Sequence, residues 1–190
     1  MNKEVLFEGK FLKVFKDQHW EFVQRHNCTG IVVILAVTDD AKIIFTRQYR
    51  LPVHNHVIEL PAGLVGDHGS KRKELMVTAA RRELFEETGY IAKRFIRLVS
   101  GPVSGGLSSD IMTLYWAKGL KKKGKGGGDL TENITTFEVP VHSAHAWLRT
   151  MEKKGNLVDP KVYAGLYFLN KSSEFRVKSS VAARVLNSEL

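Results

Sequence analysis

Apolar residues alternate with polar ones through much of the first sixty positions, which is the pattern of half-buried β-strands. Six segments have this alternation or are rich in aromatic and β-branched residues: Val5–Phe7, Phe11–Phe15, Trp20–Arg25, Gly30–Val37, Ile43–Tyr49 and Val57–Leu60. The polar turn Thr38–Ala41 separates the fourth segment from the fifth, and this spacing predicts a β-hairpin. The N-terminal half is therefore predicted to consist mainly of strands.

A helix is predicted from about Lys73 to Thr88, because Val77, Ala80 and Leu84 form one apolar stripe at helical spacing. Gly89 suits a left-handed cap at its C-terminus. Three strands and two helices are predicted after it: Phe95–Val99, Ile111–Ala117, Ile134–Val139, Ser143–Lys154 and Pro160–Leu169. These elements predict an α+β fold in which helices pack against the faces of a mixed β-sheet.

The segment Lys118–Gly128 interrupts this pattern with five lysines and five glycines. A segment of this composition cannot form a core element, so it is predicted to be a flexible loop.

The composition is that of one globular domain with extensions, since the chain has 190 residues and 43% hydrophobic content. Cys28 is the single cysteine, so no internal disulfide can form and a reducing compartment is expected. The longest apolar run, Ile31–Val37, is too short to span a membrane, and the N-terminus lacks a secretion signal. A soluble cytoplasmic protein is predicted.

The formal charge of +9 would suit an anionic partner. Nucleotide phosphates are sufficient anions, and no zinc-finger or RNA-recognition spacing supports nucleic-acid binding, which is therefore not expected.

Candidate chemistry is concentrated on the predicted helix at Glu83, Glu86 and Glu87. At about 100° per residue, these three carboxylates occupy about one third of the helix circumference. Like charges three or four residues apart cost about 0.2–0.5 kcal/mol per pair, so a cation over the cluster would stabilise it. The alternative is a solvated helix face that Arg81 and Arg82 partly neutralise.

The complete spacing, Glu74 followed after seven residues by Arg-Glu-Leu-Phe-Glu-Glu-Thr-Gly-Tyr, resembles the signature of the Nudix hydrolases. One position departs from it, because His68 stands where the family usually has glycine. Gly63 is the nearest plausible start, which implies an enlarged loop from Gly63 to Lys73.

Three further blocks resemble the branch of that family that cleaves ADP-ribose and nucleoside diphosphate sugars: Arg47–Arg50, Glu59–Gly63 and Gly106–Asp110. The resemblance implies the Nudix α/β/α sandwich with its catalytic helix after a loop. It also implies an N-terminal antiparallel β-extension at residues 1–28, a hydrolase domain at residues 29–171 and a polar basic tail at residues 172–190.

The resemblance also implies roles for individual residues. The expected metal is Mg²⁺, with Mn²⁺ possible, and its expected ligands are the three helix glutamates Glu83, Glu86 and Glu87 and the carbonyl of Ala62. Arg82 would orient the glutamates and Arg50 would hold a phosphate. The general base would be Glu132, with Glu138 as a second choice.

Substrate-binding residues follow from the same resemblance. Phe11 and Trp20 would sandwich the base, one from each subunit of a homodimer with swapped N-terminal strands, although the family usually has tryptophan at both places. Asp110 stands in a substrate-binding loop where glutamate is common. Either aromatic residue could instead belong to the core.

These features together predict metal-dependent hydrolysis of ADP-ribose or a related nucleoside diphosphate sugar, giving a nucleoside monophosphate and a sugar phosphate. The alternatives are hydrolysis of another nucleoside diphosphate derivative and a nucleotide sensor without catalysis. The pairs His54 with His56 and His142 with His145 lack cysteine partners, so they are predicted to be surface residues rather than zinc ligands.

Overall fold

The computed structural model describes residues 3–66, 74–128 and 133–172 of the chain. The first three strands, β1 (Glu4–Glu8), β2 (Leu12–Asp17) and β3 (Trp20–Arg25), form an antiparallel sheet in that order. Much of its apolar surface is exposed, including 62% of Phe7 and 70% of Phe11. The predicted N-terminal antiparallel extension is therefore confirmed as a structural element.

Two four-stranded sheets form the centre of the fold. The first has the order β7-β4-β9-β8, and its strands are β4 (Gly30–Ala36), β7 (Ala62–Val65), β8 (Tyr90–Pro102) and β9 (Ile111–Lys122). The second has the order β10-β5-β6-β11, and its strands are β5 (Lys42–Arg50), β6 (Asn55–Glu59), β10 (Thr135–Pro140) and β11 (Leu157–Val158). Each sheet mixes parallel and antiparallel pairs, since β4 runs parallel to β9 and β6 runs parallel to β11.

The hairpin predicted across Thr38–Ala41 is wrong, although the turn itself is present. β4 and β5 share a single bridge, between Val37 and Ile43, and then continue in different sheets. Both faces of β4 are covered, because Val32 and Ile34 contribute to one core cluster and Val33 and Leu35 to the other. Local alternation cannot show which neighbour a strand pairs with when both of its faces are buried.

Within the described residues, three α-helices pack on these sheets: α1 (Met76–Thr88), α2 (Ala144–Lys153) and α3 (Pro160–Lys171). Ala79, Ala80 and Leu84 of α1 pack in the cluster that contains Val32 and Ile34 of β4. The larger cluster contains residues of both sheets and of α2 and α3. The predicted α+β fold is confirmed. No helix within the described ranges is long and apolar enough to cross a membrane.

The N-terminus of α1 differs from the sequence prediction. The helix begins at Met76, Leu75 is in an extended conformation before it, and Lys73 lies outside the described residues. Most of the predicted enlarged loop also lies outside them, but its first residues, Gly63–Val65, belong to β7. The C-terminus agrees with the prediction, because Gly89 adopts a left-handed φ of 70° and its N–H donates to the carbonyl of Phe85 at 2.7 Å.

The prediction of a flexible loop at Lys118–Gly128 is wrong for its first five residues. Residues Lys118 to Lys122 extend β9, and Leu120 is buried. The next six residues cap the end of α1, and we call residues 123–128 the glycine clamp. Its N–H groups donate to the last helix carbonyls, from Gly127 to Glu87 at 2.8 Å and from Gly128 to Glu86 at 3.0 Å.

The glycine clamp satisfies backbone groups that a helix end otherwise leaves without partners. Lys123 and Gly124 both donate to the carbonyl of Gly89, and the Lys122 ammonium donates to that of Thr88 at 2.8 Å. A cation at this position also complements the negative end of the helix dipole. Only glycine at position 126 allows the clamp to lie this close to α1, because a Cβ there would lie 2.5 Å from the Thr88 carbonyl carbon.

Gly126→Ala should therefore destabilise the protein more than Gly155→Ala. Both glycines have a left-handed φ, 73° and 85°, but a Cβ on Gly155 would meet nothing within 4 Å. Left-handed backbone strain costs each variant about 1–2 kcal/mol, and the steric clash adds about 1–3 kcal/mol at Gly126 alone. Urea unfolding followed by circular dichroism measures the difference. An equal loss of unfolding free energy in the two variants would contradict close packing of the clamp on α1.

Candidate active site

Two of the three glutamates in the acidic cluster are buried within the fold. Glu83 is 8% exposed and Glu87 is 4% exposed, whereas the Glu86 side chain is 39% exposed. A buried carboxylate is costly unless it has hydrogen-bond partners or a nearby positive charge. The alternative of a solvated helix face is therefore wrong for Glu83 and Glu87.

Arg82 holds this cluster together from the same helix. Its Nη1 donates to Glu83 Oε1 at 2.7 Å and to Glu86 Oε2 at 3.1 Å, and its Nε donates to Glu74 Oε1 at 3.3 Å. Burial disfavours the charged guanidinium, but the three carboxylates outweigh this effect and raise the pKa of Arg82 above its ordinary value. Arg82 therefore remains a fixed cation.

The same guanidinium and one carboxylate connect α1 to its surroundings. Arg82 Nη2 donates to the carbonyl of Leu64 on β7 at 3.0 Å. Glu74, just before the helix, accepts from the N–H of Gly66 at 2.8 Å through Oε2. Leu64 and Gly66 of the enlarged loop are thereby fixed next to the carboxylates.

The backbone of β7 approaches the helix glutamates very closely. The N–H of Ala62 donates to Glu87 Oε2 at 3.2 Å. A Cβ on Gly63 would lie 1.9 Å from the carboxyl carbon of Glu83, so only glycine leaves room for that carboxylate. Carboxylate and backbone oxygens are the donors that a hard divalent cation prefers, and the set present here fits such a cation.

The described side chains do not by themselves form a complete metal site. In the part of the chain that the structure describes, no three His, Cys, Asp or Glu side chains converge on one point. Magnesium often uses one or two carboxylates together with waters and substrate phosphates, so this arrangement is compatible with it. That the histidine pairs are not zinc ligands stays a prediction; among their ring contacts, His56 packs on Tyr49 and His145 on Tyr163.

A cavity of about 510 Å³ opens in front of the acidic cluster. Among the described residues, its charged lining consists of three carboxylates and four cations: Glu59, Glu83, Glu86, Arg25, Arg50, Arg82 and Lys161. Ala62, Gly63 and Leu64 of β7 also line it. The structure therefore brings together five of the residues predicted for the site: Arg50, Ala62, Arg82, Glu83 and Glu86.

Each of the cavity arginines from outside α1 is oriented by a carboxylate. Arg50 Nε donates to Glu59 Oε2 at 2.9 Å, and Arg25 Nε donates to Asp110 Oδ2 at 3.2 Å. Burial raises the pKa of the Glu59 carboxyl, although its bond to Arg50 acts in the opposite direction. Asp110 does not line the cavity, but it fixes Arg25, which does.

The two predicted aromatic residues lie outside this cavity in a single chain. Phe11 is 70% exposed and Trp20 is 52% exposed, so neither is a core residue. The strand β3 that carries Trp20 is bound to the loop before β9: the N–H of Val23 donates to the carbonyl of Leu107 at 2.9 Å, and the N–H of Ser109 donates to the carbonyl of Val23 at 3.1 Å.

The predicted general base Glu132 lies outside the described residues. Glu138, the second choice, does not line the cavity and instead accepts a hydrogen bond from the Tyr90 hydroxyl at 2.5 Å. Burial and this carboxylate raise the pKa of Tyr90. The geometry therefore does not favour Glu138.

Sequence reasoning missed three charged residues of the cavity: Arg25, Glu59 and Lys161. Glu59 could have been found, because it opens the block Glu59–Gly63. No local pattern marks Arg25 or Lys161, which reach the cavity from strand β3 and helix α3.

Comparison with known proteins identifies the family. The family model of the NUDIX domain matches residues 29–164 of the chain. The chain belongs to the Nudix family. The resemblance carried by Glu74 and the acidic helix is thereby confirmed.

Two curated relatives of this Nudix protein match most of its length. A methanol dehydrogenase activator from Bacillus methanolicus is 33% identical over 92% of this chain and 94% of its own length. An ADP-ribose pyrophosphatase from Bacillus subtilis is 31% identical over 88% of this chain and 89% of its own. A crystal structure of an ADP compounds hydrolase superposes with a TM-score of 0.68, at 20% identity over 90% of this chain and 91% of that one, which supports the fold alone.

Gly63→Ala in this Nudix protein should lower catalytic turnover by about 100-fold, because the new methyl group must displace the Glu83 carboxylate. The matched control is Gly101→Ala, at which a Cβ would meet nothing within 4 Å. The loss of turnover is measured as the steady-state rate of hydrolysis of a pyrophosphate substrate at increasing concentrations of metal ion. Circular dichroism checks that the variant is folded. Normal turnover in a folded Gly63→Ala variant would show that the close approach of β7 to Glu83 is not required.

Proposed function

We propose that this Nudix pyrophosphohydrolase cleaves the pyrophosphate bond of ADP-ribose or a related nucleoside diphosphate sugar. The products would be a nucleoside monophosphate and a sugar phosphate. The observation that carries the proposal is a cavity in which the carboxylates of the signature helix and three cations from other elements, Arg25, Arg50 and Lys161, line the same space. The relative from Bacillus subtilis, an ADP-ribose pyrophosphatase, supports the same substrate class.

Nudix hydrolases generally use divalent cations, and we propose Mg²⁺, with Mn²⁺ as a substitute. Glu83, Glu86, Glu87 and the carbonyl of Ala62 would hold it. When bound, the cation neutralises phosphate charge and lowers the pKa of coordinated water. The close packing of β7 on Glu83 and Glu87 supports this ligand set.

The remaining residues would bind and orient the substrate. Arg50 would hold a phosphate, and its bond to Glu59 fixes the direction of the guanidinium. We add Arg25, oriented by Asp110, as a second cation for the diphosphate. Arg82 would keep the glutamates in place without touching the substrate, because its donors are directed to Glu74, Glu83 and Glu86. Glu132 is the proposed general base.

We further propose that the protein is a homodimer with exchanged N-terminal strands, in which Phe11 and Trp20 of different subunits stack on the base. Exposed apolar side chains of the N-terminal sheet support this proposal: Val5, Leu6, Phe7, Phe11 and Trp20. The division at residue 28, the basic tail and the location in the cytoplasm stay predictions.

A second candidate function comes from the relative in Bacillus methanolicus, which is a methanol dehydrogenase activator. Activation of a dehydrogenase could accompany hydrolysis, and a nucleotide-binding protein without catalysis could also produce it. Turnover separates the candidates, because a nucleotide sensor would bind diphosphate sugars without cleaving them.

The test is hydrolysis of a nucleotide panel by the purified protein with Mg²⁺. We expect cleavage of ADP-ribose or another diphosphate sugar to two monophosphates, detected by chromatography, and loss of at least about 100-fold in Glu87→Gln. Turnover of nucleoside triphosphates or capped RNA with no cleavage of any diphosphate sugar would refute the substrate class. Binding of ADP-ribose without turnover would favour the sensor.

A further inference from the structure

One corner of the cavity contains a charged residue from α3 to which the proposed reaction assigns no individual role. Lys161 lies in the first turn of α3 and lines the cavity together with Arg50 and Glu59. Its side chain is 28% exposed, and its ammonium pairs with the carboxylate of Asp159. We call Arg50, Glu59, Asp159 and Lys161 the α3 corner.

The backbone fixes the position of this corner. Asp159 is the N-cap of α3, and its Oδ1 accepts from the N–H of Lys161 at 2.7 Å. The N–H of Asp159 donates to the carbonyl of Ile58 at 2.9 Å, one residue before Glu59. The short strand β11 also pairs in parallel with β6, so the start of α3 is held beside the end of β6.

The α3 corner is balanced in charge, unlike a site built for an additional phosphate. It contains two cations and two carboxylates, with Arg50 bonded to Glu59 and Lys161 paired with Asp159. The two ion pairs lie near each other, because Asp159 bonds to the carbonyl of Ile58 next to Glu59, and Glu59 and Lys161 line the same cavity. Because both cations are already paired with carboxylates, the corner offers no net positive charge to a further phosphate.

Neutral hydroxyl groups match this corner better than a phosphate does. A carboxylate accepts hydrogen bonds from hydroxyls, and an ammonium donates to their oxygens, so adjacent groups of both kinds suit a sugar. Hydrogen bonds that involve a charged partner are also stronger than those between neutral groups.

We propose that the α3 corner binds the sugar half of the substrate, with Glu59 accepting and Lys161 donating hydrogen bonds to its hydroxyl groups. The inference rests on the proposed hydrolysis of nucleoside diphosphate sugars and makes Lys161 a specificity-determining residue. It favours a neutral sugar over the third phosphate of a nucleoside triphosphate.

The experiment measures the binding affinity of each half of the substrate separately. Ribose 5-phosphate and AMP are titrated into the protein in a calorimeter in the presence of Mg²⁺. We expect Lys161→Met to weaken ribose 5-phosphate binding about tenfold, because one charged hydrogen bond is lost, and to change AMP binding less than about twofold. Lys161→Arg keeps a cationic donor and should restore part of the affinity.

Lys171→Met is the matched control. Lys171 lies at the other end of α3, with its ammonium over the Tyr167 ring, and does not line the cavity. This variant should bind both ligands as the unaltered protein does. Thermal unfolding of all variants checks that the Lys161 substitutions leave the protein folded.

Unchanged ribose 5-phosphate binding in a folded Lys161→Met variant would overturn the proposal, and so would equal weakening of both ligands. Absence of ribose 5-phosphate binding to the unaltered protein, with AMP still bound, would also overturn it. These results concern the sugar subsite alone, whereas the proposed reaction fails only if the unaltered protein cleaves no diphosphate sugar.

Discussion

The crowding of carboxylates at the end of α1 is the constraint around which the site is built. Glu83 and Glu87 are buried on the same helix, and their mutual repulsion would destabilise it without a partner. Arg82 supplies the positive charge from within the helix by bonding to Glu83 and Glu86. The same guanidinium reaches the backbone of β7, so the interaction that relieves repulsion also fixes the distance between helix and strand.

Gly63 makes that distance possible, and the glycine clamp holds the end of the same helix. Gly63 lets the backbone of β7 lie against Glu83, and the glycine clamp holds the carbonyls of Glu86 and Glu87 at the other side. The helix is thereby held from both directions at the residues that carry the carboxylates. A site fixed by backbone contacts in this way is preorganised, because its groups need little rearrangement when a charged ligand binds.

Much of the fold and the acidic helix could be predicted from the sequence, because local patterns determine them. The stripe of Val77, Ala80 and Leu84 and the cap at Gly89 are features of consecutive residues. The clamp could not be predicted, since a run of lysine and glycine has no apolar pattern and its order comes from hydrogen bonds to α1. Arg25 and Lys161 were missed for a related reason, because the tertiary fold alone brings them to the cavity.

The most direct test of the acidic helix as a cation site is Mn²⁺ binding followed by electron paramagnetic resonance, which does not depend on the substrate. We expect the unaltered protein to bind Mn²⁺ and Glu83→Gln to bind it at least about tenfold more weakly, since a ligand carboxylate is lost. Equal Mn²⁺ affinity in the two folded proteins would contradict a cation site at Glu83.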